Sequence, residues 1–430
     1  MNSQTVANSR SIGDTRSSLT RSALLLFAIA AGVSVANVYF AQPLLDELSK
    51  QFGLDTASAG LVVTVTQIGY ALGLFLIVPL GDWLDRRRLV LSQLVLSAIA
   101  LTVVSFATSK TALLFAMFFV GLCAVVVQVL VAFAAGLALP EQRGSAVGTV
   151  TGGVVLGILL ARTIAGVVSD VADWRSVYLC SAVVTLLLTC ALYRVLPSST
   201  STDTSPSYPQ LLRSVVELFF SSRILRIRAC IALLLFASFG ALWTALVLPL
   251  SSPPHSLSHT IIGLFGLAGM AGAVAAGRAG SLADRGWGQW TTGVGLALLL
   301  GSWLPIGYLH QSLIALTIGI VILDFAVQAV HVTNQSIIFA SHPEARSRVV
   351  AAYMIFYSVG SGLGAIASTK MYAYFGWTGV CTLGMCISAV AFVFWALTAC
   401  APRNTTAYMT DSGTSLRSPD QLICARRICS

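Results

Sequence analysis

The chain has 430 residues, of which 56% are hydrophobic and only 10% are charged. A water-soluble protein carries about 25% charged residues, so this composition excludes an ordinary soluble domain and indicates a protein that lies in a lipid bilayer. The net charge of +9 does not indicate nucleic-acid binding, because the basic residues are spread over short loops and tails. The nine cysteines show no CxxC pair or metal-ligand spacing, so we expect no metal site and no cofactor.

Long apolar runs predict twelve membrane-spanning helices, because about 20 residues of helix cross ~30 Å of hydrocarbon. The fold class is therefore an all-α polytopic membrane protein. The first run is too long for the apolar core of a cleaved signal peptide and is interpreted as the first span. The predicted spans are 22–43, 58–80, 89–107, 112–138, 144–168, 176–196, 229–250, 259–279, 289–309, 312–340, 348–372 and 377–399.

The spans divide into six, a linker and six. Residues 1–21 form an N-terminal tail, 22–196 a first six-helix bundle, 197–228 a linker, 229–399 a second six-helix bundle and 400–430 a polar tail. The linker begins rich in Ser, Thr and Pro and ends in an arginine-studded stretch suited to the membrane surface. We expect the C-terminal tail to be disordered, because it is polar and resembles neither half.

The positive charges predict the orientation. With the N-terminus placed inside, twenty of the 25 Lys and Arg residues fall on the cytoplasmic side. Only Lys50, Lys110, Arg175 and Lys370 fall on the other side, and Arg162 lies within a helix. Because cytoplasmic loops carry the excess of basic residues, both termini are predicted to be cytoplasmic.

Two charged segments occur twice along the chain. Gly81–Arg86 is similar to Gly280–Arg285, 199 residues later, and Pro140–Arg143 is similar to Pro343–Arg346, 203 residues later. Each copy lies in a short gap between apolar runs, so the repeating unit is half of the protein. Two membrane-embedded halves built on one plan indicate a transporter that rocks one half against the other around a central site.

At these segments the chain resembles the major facilitator superfamily, whose signature between the second and third helices reads G-x-L-a-D-R-x-G-R. Trp83 stands where Leu is usual. Residues 37–45 also resemble the end of the first helix in bacterial efflux members. The resemblance implies two pseudo-symmetric six-helix bundles and a monomeric small-molecule transporter. The residues assigned to a cytoplasmic gate are Gly81, Asp85, Arg86, Arg88, Glu141, Gly280, Asp284 and Arg285.

Elementary chemistry suggests what this gate does. A carboxylate such as Asp85 can cap a helix N-terminus, and an arginine can pair with Glu141 near the end of the fourth helix. The resemblance implies that the cluster latches the cytoplasmic side in the outward-open state. The alternative is that Arg86, Arg87 and Arg88 only enforce topology, which explains the arginines but not the repeated aspartate.

Two departures from the family pattern concern the fourth and fifth helices. The fourth helix lacks the embedded arginine that many members have and carries only Gln128. The fifth helix has no Gly-Pro-rich signature and carries Arg162 instead. The departure in the fifth helix argues against the polyspecific drug exporters in particular.

Three ionisable residues are predicted to lie well within the spans: Arg162, Asp324 and His331. Such residues need a partner, a wet cavity or a function. Asp324, Gln328 and His331 share one stripe of the tenth helix, which predicts that they face a water-filled interior. By helix rise, Arg162 lies about 12 Å and Asp324 about 17 Å from the same surface, close enough in depth for an ion pair between the halves.

We hypothesise that Asp324 carries a proton and that Arg162 either modulates the proton affinity of Asp324 or binds an anionic group of the substrate. His331 is a third candidate for proton coupling. The alternative is a static buried ion pair. His255 and His259 are four residues apart in a loop without further ligands, so no metal site is expected there. The substrate-cavity candidates are Asn37, Tyr39, Gln67, Tyr70, Gln128, Trp243, Gln328, Asn334 and Tyr357.

We therefore expect a secondary active transporter that works by alternating access and exports a small amphipathic or polar compound in exchange for protons. A uniporter or a proton-symport importer on the same fold is the alternative. A membrane enzyme is disfavoured because no catalytic residues cluster near one surface, and a channel because the repeated loop signature is typical of gating between states. The chain contains no phosphate-binding G-x-x-x-x-G-K-[ST] loop, which argues against ATP-driven transport within this chain.

Overall fold

The structure is a computed structural model, and it contains helices, turns and no strand in the residues that it describes. Those residues are 21–82, 84–139, 142–196, 207–269, 272, 278–279, 282–341 and 346–400. Within these residues, ten helices are long and apolar enough to cross a membrane. One of these contains two spans, and the short apolar helix His259–Gly269 is the described part of another. The described residues thus agree with twelve spans.

The first six spans lie within a few residues of their predicted positions, because long apolar runs ended by charged or turn-forming residues define them. The sequence does not predict the short helix Leu45–Phe52, hereafter the surface helix, which follows the first span and ends at Gly53 in the left-handed conformation (φ 61°). The spans are Arg21–Tyr39, Leu61–Leu76, Arg86–Ser105, Lys110–Leu137, Arg143–Val171 and Trp174–Val195.

The second six spans follow the same plan. The last two form one long helical element, Arg346–Cys400, which is divided at Gly376 (φ 59°, ψ −156°). A side chain at that position would be strained, since the left-handed region favours glycine. The remaining spans are Arg223–Ser251, His259–Gly269 (its described part), Arg285–Gly307 and Leu313–Ser341.

The linker contains a helix, Tyr208–Ser221, hereafter the linker helix. The Tyr208 hydroxyl donates to the Leu76 carbonyl oxygen at 2.7 Å, and the Phe219 ring stacks on Phe356 of the eleventh span at 4.8 Å between centroids. The seventh span begins at Arg223, six residues before the predicted start. Its basic first turn resembles a surface segment in sequence, and only the folded chain shows that it continues into the span.

Glycine contacts show that the repeat in the sequence is a repeat in packing. A Cβ atom on Gly157 of the fifth span would lie 2.2 Å from the carbonyl oxygen of Gly32 in the first span. A Cβ atom on Gly360 of the eleventh span would lie 2.1 Å from the carbonyl oxygen of Leu233 in the seventh span. The same pair of helices in each half therefore touches backbone to backbone, which only very small residues allow.

Candidate functional site

Arg162 lies where the two halves meet. Its side chain is 3% exposed, and its Nε donates to Oε1 of Gln42 at 2.9 Å. The guanidinium carbon lies 3.9 Å from the ring centroid of Trp243, 5.1 Å from that of Tyr39 and 5.5 Å from that of Phe239. Cations bind favourably to aromatic faces at such distances. The guanidinium is thus held by side chains from both halves.

Asp324 contacts the same tryptophan through its indole N–H. It is 5% exposed, and its Oδ1 accepts a hydrogen bond from Trp243 Nε1 at 3.2 Å. Its Oδ2 lies against the eighth span, only 2.8 Å from where a Cβ atom on Gly269 would be. The first half has Gly121 at the equivalent position, 203 residues earlier. The carboxylate is therefore a feature of one half only, and Trp243 touches both charged side chains.

Two buried hydrogen-bond donors at this site lack an acceptor in the described part of the chain. They are Nη2 of Arg162 and Nε2 of Gln42. A buried donor without an acceptor costs about 1–3 kcal/mol. A cavity of about 10 Å³ adjoins them, which is room for about one water molecule. It is lined by Gln42, Pro43, Arg162, Trp243, Leu246, Val247 and Ile262.

Two aromatic hydroxyls and an amide join the halves near this point. The hydroxyls of Tyr39 and Tyr357 share a hydrogen bond. Ser358 of the eleventh span donates to Gln67 of the second span, with Oγ 2.8 Å from Oε1. Tyr39, Gln67 and Tyr357, all predicted to line the cavity, thus lie at the interface between the halves.

Other predicted cavity residues make contacts within one half. Ser181 of the sixth span donates to Asn37 Oδ1 at 2.6 Å, so Asn37 lies inside the first half. Tyr70 interacts with Gln128, both in the first half. Gln328 packs against the eighth span, with its Cγ 2.8 Å from where a Cβ atom on Gly272 would be. The predicted stripe on the tenth helix therefore contacts neighbouring helices along its length.

A second buried cation, Arg228, lies in the second half. It is 3% exposed, and its Nη1 donates to Thr292 Oγ1 at 3.0 Å and to Asn334 Oδ1 at 3.1 Å. His331 lies nearby, with Nδ1 3.0 Å from the Tyr353 hydroxyl. The prediction of only three ionisable residues within the spans is therefore wrong. It placed Arg228 in the linker, and its partners lie 64 and 106 residues away in sequence.

His259 connects the halves at one end of the bundle. Its Nε2 lies 2.9 Å from Asp46 Oδ1, and its Nδ1 lies 3.3 Å from Asp170 Oδ1 and 3.7 Å from Glu47 Oε1. Asp170 also accepts the backbone N–H groups of His259 and Thr260, at 3.1 and 2.7 Å. These neighbours of His259 are not evident in the sequence, because the three carboxylates come from distant parts of the chain. No cluster in the described residues is able to hold a metal ion.

The charges in this cluster support one another. Burial opposes ionisation of Asp46, but the hydrogen bond and charge of His259, with Lys50, outweigh it, so the pKa of Asp46 lies below its ordinary value. The carboxylates in turn favour the protonated imidazole. We call this region, with Asp46, Asp170 and His259, the Asp170 end of the bundle.

Further hydrogen bonds join the halves on the same side of the bundle. The backbone N–H of Gly60 donates to Thr369 Oγ1 at 3.3 Å. Thr64 Oγ1 donates to the Gly362 carbonyl at 2.8 Å, and Thr163 Oγ1 donates to the Gly263 carbonyl at 3.0 Å. The second span thus meets the eleventh, and the fifth meets the eighth. The structure is closed at the Asp170 end.

The signature residues lie at the opposite end, hereafter the signature end. Asp85 Oδ1 accepts from the backbone N–H of Arg87 at 3.0 Å and caps the third span. Arg86 Nε donates to the Gly81 carbonyl at 2.9 Å. Arg87 Nη2 donates to the Tyr193 carbonyl at 2.7 Å, and its guanidinium carbon lies 4.9 Å from the Tyr193 ring centroid. These contacts hold the ends of helices within the first half.

The remaining residues predicted to form the gate are Arg88, Glu141, Gly280, Asp284 and Arg285. Arg88 is 90% exposed, and its Nε lies 3.9 Å from Asp85 Oδ2. Glu141 and Gly280 lie outside the described residues, and so does any pairing of an arginine with Glu141. Asp284 and Arg285 lie in a helical turn, Ala283–Trp287, where Arg285 is exposed.

Comparisons with known proteins identify the fold. The sequence profile described as Major Facilitator Superfamily matches residues 26–304 and 279–418. The chain belongs to this superfamily. "Uncharacterized transporter YgaY" of Escherichia coli O157:H7 is 46% identical over 377 residues, 88% of this chain and 95% of that protein. "Probable transporter SCO4007" of Streptomyces coelicolor is 30% identical over 388 residues, 88% of this chain and 87% of that protein.

A solved structure gives the same fold. The crystal structure of a bacterial homologue of the human lysosomal transporter Spinster, inward-facing and occupied, has a TM-score of 0.71 at 16% identity, covering 87% of this chain and 96% of that chain. The predicted major facilitator fold is therefore confirmed, and the chain is a multi-pass membrane transporter.

Proposed function

We propose that this chain is a proton-coupled secondary transporter that moves a small amphipathic or polar compound by alternating access, with Asp324 as the proton carrier. The observation that carries the proposal is the position of Asp324, buried at the interface and hydrogen-bonded to Trp243. Asp324 belongs to the second half and Arg162 to the first, so rocking changes the distance between the two charges. A buried carboxylate whose cationic neighbour moves gains or loses a proton in response.

The orientation follows from the positive-inside rule. The Asp170 end faces the outside of a bacterial inner membrane, and the signature end and both termini face the cytoplasm. The structure is then closed to the outside. The rocking units are the two six-helix bundles of a single monomer, joined by the linker helix.

Two directions of coupling are compatible with Asp324 as carrier. Export in exchange for protons, which the resemblance at residues 37–45 favours, requires that substrate and proton exclude each other. Proton symport requires that they bind together. The buried cation Arg162 favours symport for an anionic substrate, because a proton on Asp324 leaves the positive charge of Arg162 for the anion.

Flux measurements in liposomes test the proposal. The protein is reconstituted around an internal pH dye, a pH gradient is imposed, and a panel of compounds is screened for proton movement that depends on the compound. Asp324→Asn is expected to abolish this movement. Asp173→Asn is the matched control, because Asp173 is 47% exposed and pairs only loosely with Arg175, at 3.9 Å. Unchanged coupling in Asp324→Asn, with normal insertion, refutes the assignment of Asp324.

A further inference from the structure

We propose that Arg162 and Gln42 bind the acidic group of an organic oxyanion, a carboxylate or sulfonate joined to an apolar body, and that this anion is the transported substrate. The inference deepens the proposed function and rests on its central site. Binding of the anion at Arg162 does not depend on which residue carries the proton, whereas the expected direction of coupling does.

The buried side-chain atoms at this point that have no partner in the described residues are both donors. Arginine has five N–H donors and no acceptor, and the one side-chain acceptor of Gln42 already takes the Nε–H of Arg162. The two polar side-chain atoms at this point without a hydrogen-bond partner in the described residues are Nη2 of Arg162 and Nε2 of Gln42, and both are buried. Two adjacent donors, one of them charged, fit an anionic group with two or more oxygens.

Asp324 does not satisfy these donors. Its Oδ1 takes the indole N–H of Trp243, and its Oδ2 lies against Gly269. The guanidinium lies over the face of the same indole. In the described residues no hydrogen bond or ion pair joins Arg162 to Asp324. Trp243 thus holds the two charges near each other while leaving the Nη2 end of Arg162 for another acid.

The surroundings fit an apolar body. Beyond the two donors, the cavity wall is formed by Pro43 of the first half and by Trp243, Leu246 and Ile262 of the second. The donors therefore belong to one half and most of the apolar wall to the other. At about 10 Å³ the cavity is too small for an organic anion while the halves are in contact. Separation of the halves widens it, as alternating access requires.

Charge balance sets the expected coupling. With Arg162 positive and Asp324 negative, the site is neutral. An anion bound to Arg162 adds an uncompensated negative charge in a buried place, which a proton on Asp324 removes. Anion and proton are therefore expected to bind together and to cross in the same direction.

Binding is tested first, on purified protein in nanodiscs by calorimetry. The probes are 3-phenylpropanoate and 3-phenylpropanesulfonate, with 3-phenylpropanamide as the neutral and 3-phenylpropylammonium as the cationic analogue. The two anions are expected to bind at least roughly tenfold more tightly than the analogues, the scale of a charge-assisted hydrogen bond. Equal binding of all four, or no binding of the anions, overturns the proposal.

Variants show whether the binding site is at Arg162. Arg162→Gln is expected to remove the preference for anions. Gln42→Glu, which supplies a competing carboxylate without deleting the guanidinium, is expected to weaken anion binding at least roughly tenfold. Arg175→Gln is the matched control, because Arg175 also lies over a tryptophan, 4.5 Å from the Trp174 centroid, but away from the interface. Full anion affinity in folded Gln42→Glu and Arg162→Gln overturns the assignment.

Flux separates substrate class from proton coupling. The sulfonate is used here because carboxylic acids cross bilayers in their neutral form. Uptake of 3-phenylpropanesulfonate is expected to acidify the liposome interior, whereas exchange for protons makes it alkaline and overturns the coupling sign. If sulfonate uptake depends on Arg162 but moves no protons, the assignment of an anionic substrate is supported and the proposed proton coupling is refuted. If protons move only with cations or neutral compounds, the assignment of an anionic substrate is refuted and the proposed proton coupling is supported.

Discussion

The two ends of the bundle are held in different ways. At the Asp170 end, the ionic contacts of His259 with Asp46 and Asp170 run from one half to the other. At the signature end, the contacts of Arg86 and Arg87 that are described run within the first half, to Gly81 and Tyr193. Opening at the Asp170 end therefore has to break polar contacts between the halves, while the signature contacts fix the shape of one half.

The largest effect on closure at the Asp170 end is expected from a substitution that adds a side chain where the two halves touch. A Cβ atom on Gly166 would lie 2.1 Å from the carbonyl oxygen of His259, so Gly166→Ala has to push the fifth and eighth spans apart. Overpacking of about 1–3 kcal/mol shifts the balance away from the closed form roughly 5- to 150-fold. Spin labels at the exposed positions Thr56 and Ser252 would show the longer distance by dipolar spectroscopy.

A glycine in the same helix provides the control for this substitution. A Cβ atom on Gly152 would meet nothing within 4 Å, so Gly152→Ala should leave the distance distribution unchanged. An equal response to both substitutions would show that helix propensity, not the contact with the eighth span, is responsible.

Removing the imidazole should have an intermediate effect. His259→Asn deletes the ion pairs with Asp46 and Asp170, and we expect it to weaken closure by about 1–2 kcal/mol. The wild-type closed form should also weaken as the pH rises from about 6 to about 9, because the imidazolium loses its proton. The same pair of spin labels measures both effects.

Asp46 does not produce that pH dependence. Its lowered pKa keeps it ionised across the whole interval, so its contribution is lost only in strongly acid solution. His259→Asn should therefore have a flat response between these pH values. A pH response that persists in the variant would show that the titrating group is not His259.

The smallest effect is expected at the signature end. Asp85→Ala removes the cap of the third span and should lower stability by about 1 kcal/mol, whereas Asp85→Ser keeps a capping oxygen and should retain most of it. Arg88→Ala should change little, because the side chain is 90% exposed. Thermal unfolding of purified protein measures these differences. A stable Asp85→Ser protein that no longer transports would show that the negative charge acts in gating as well.

The architecture was predictable because the bilayer constrains it. The length of each apolar run predicts a membrane-spanning helix, and the repeated segments around Asp85 and Asp284 indicate two related halves. The start of the seventh span was not predictable in the same way, since Arg223, Arg226 and Arg228 have the composition of a surface segment. Burial of Arg228 depends on Thr292 and Asn334, which only tertiary packing brings to it.

Those residues of the site were predictable whose side chains cost free energy to place in lipid. Asp324 and Arg162 stand out because ionisable groups are rare in apolar helices. His259 did not stand out, because its partners Asp46 and Asp170 are 213 and 89 residues distant. Gln42 was also missed as a site residue. A glutamine near a helix end is ordinary in sequence, and its role depends on the hydrogen bond that it accepts from Arg162.

The glycine contacts of Gly157 with Gly32 and of Gly360 with Leu233 have a mechanical consequence. Helices whose main chains touch in this way pack closely, with no side chain between them. We therefore expect the first and fifth spans to move together, and likewise the seventh and eleventh. Under the proposed rocking, the side chains around Trp243 that contact both halves then have to rearrange.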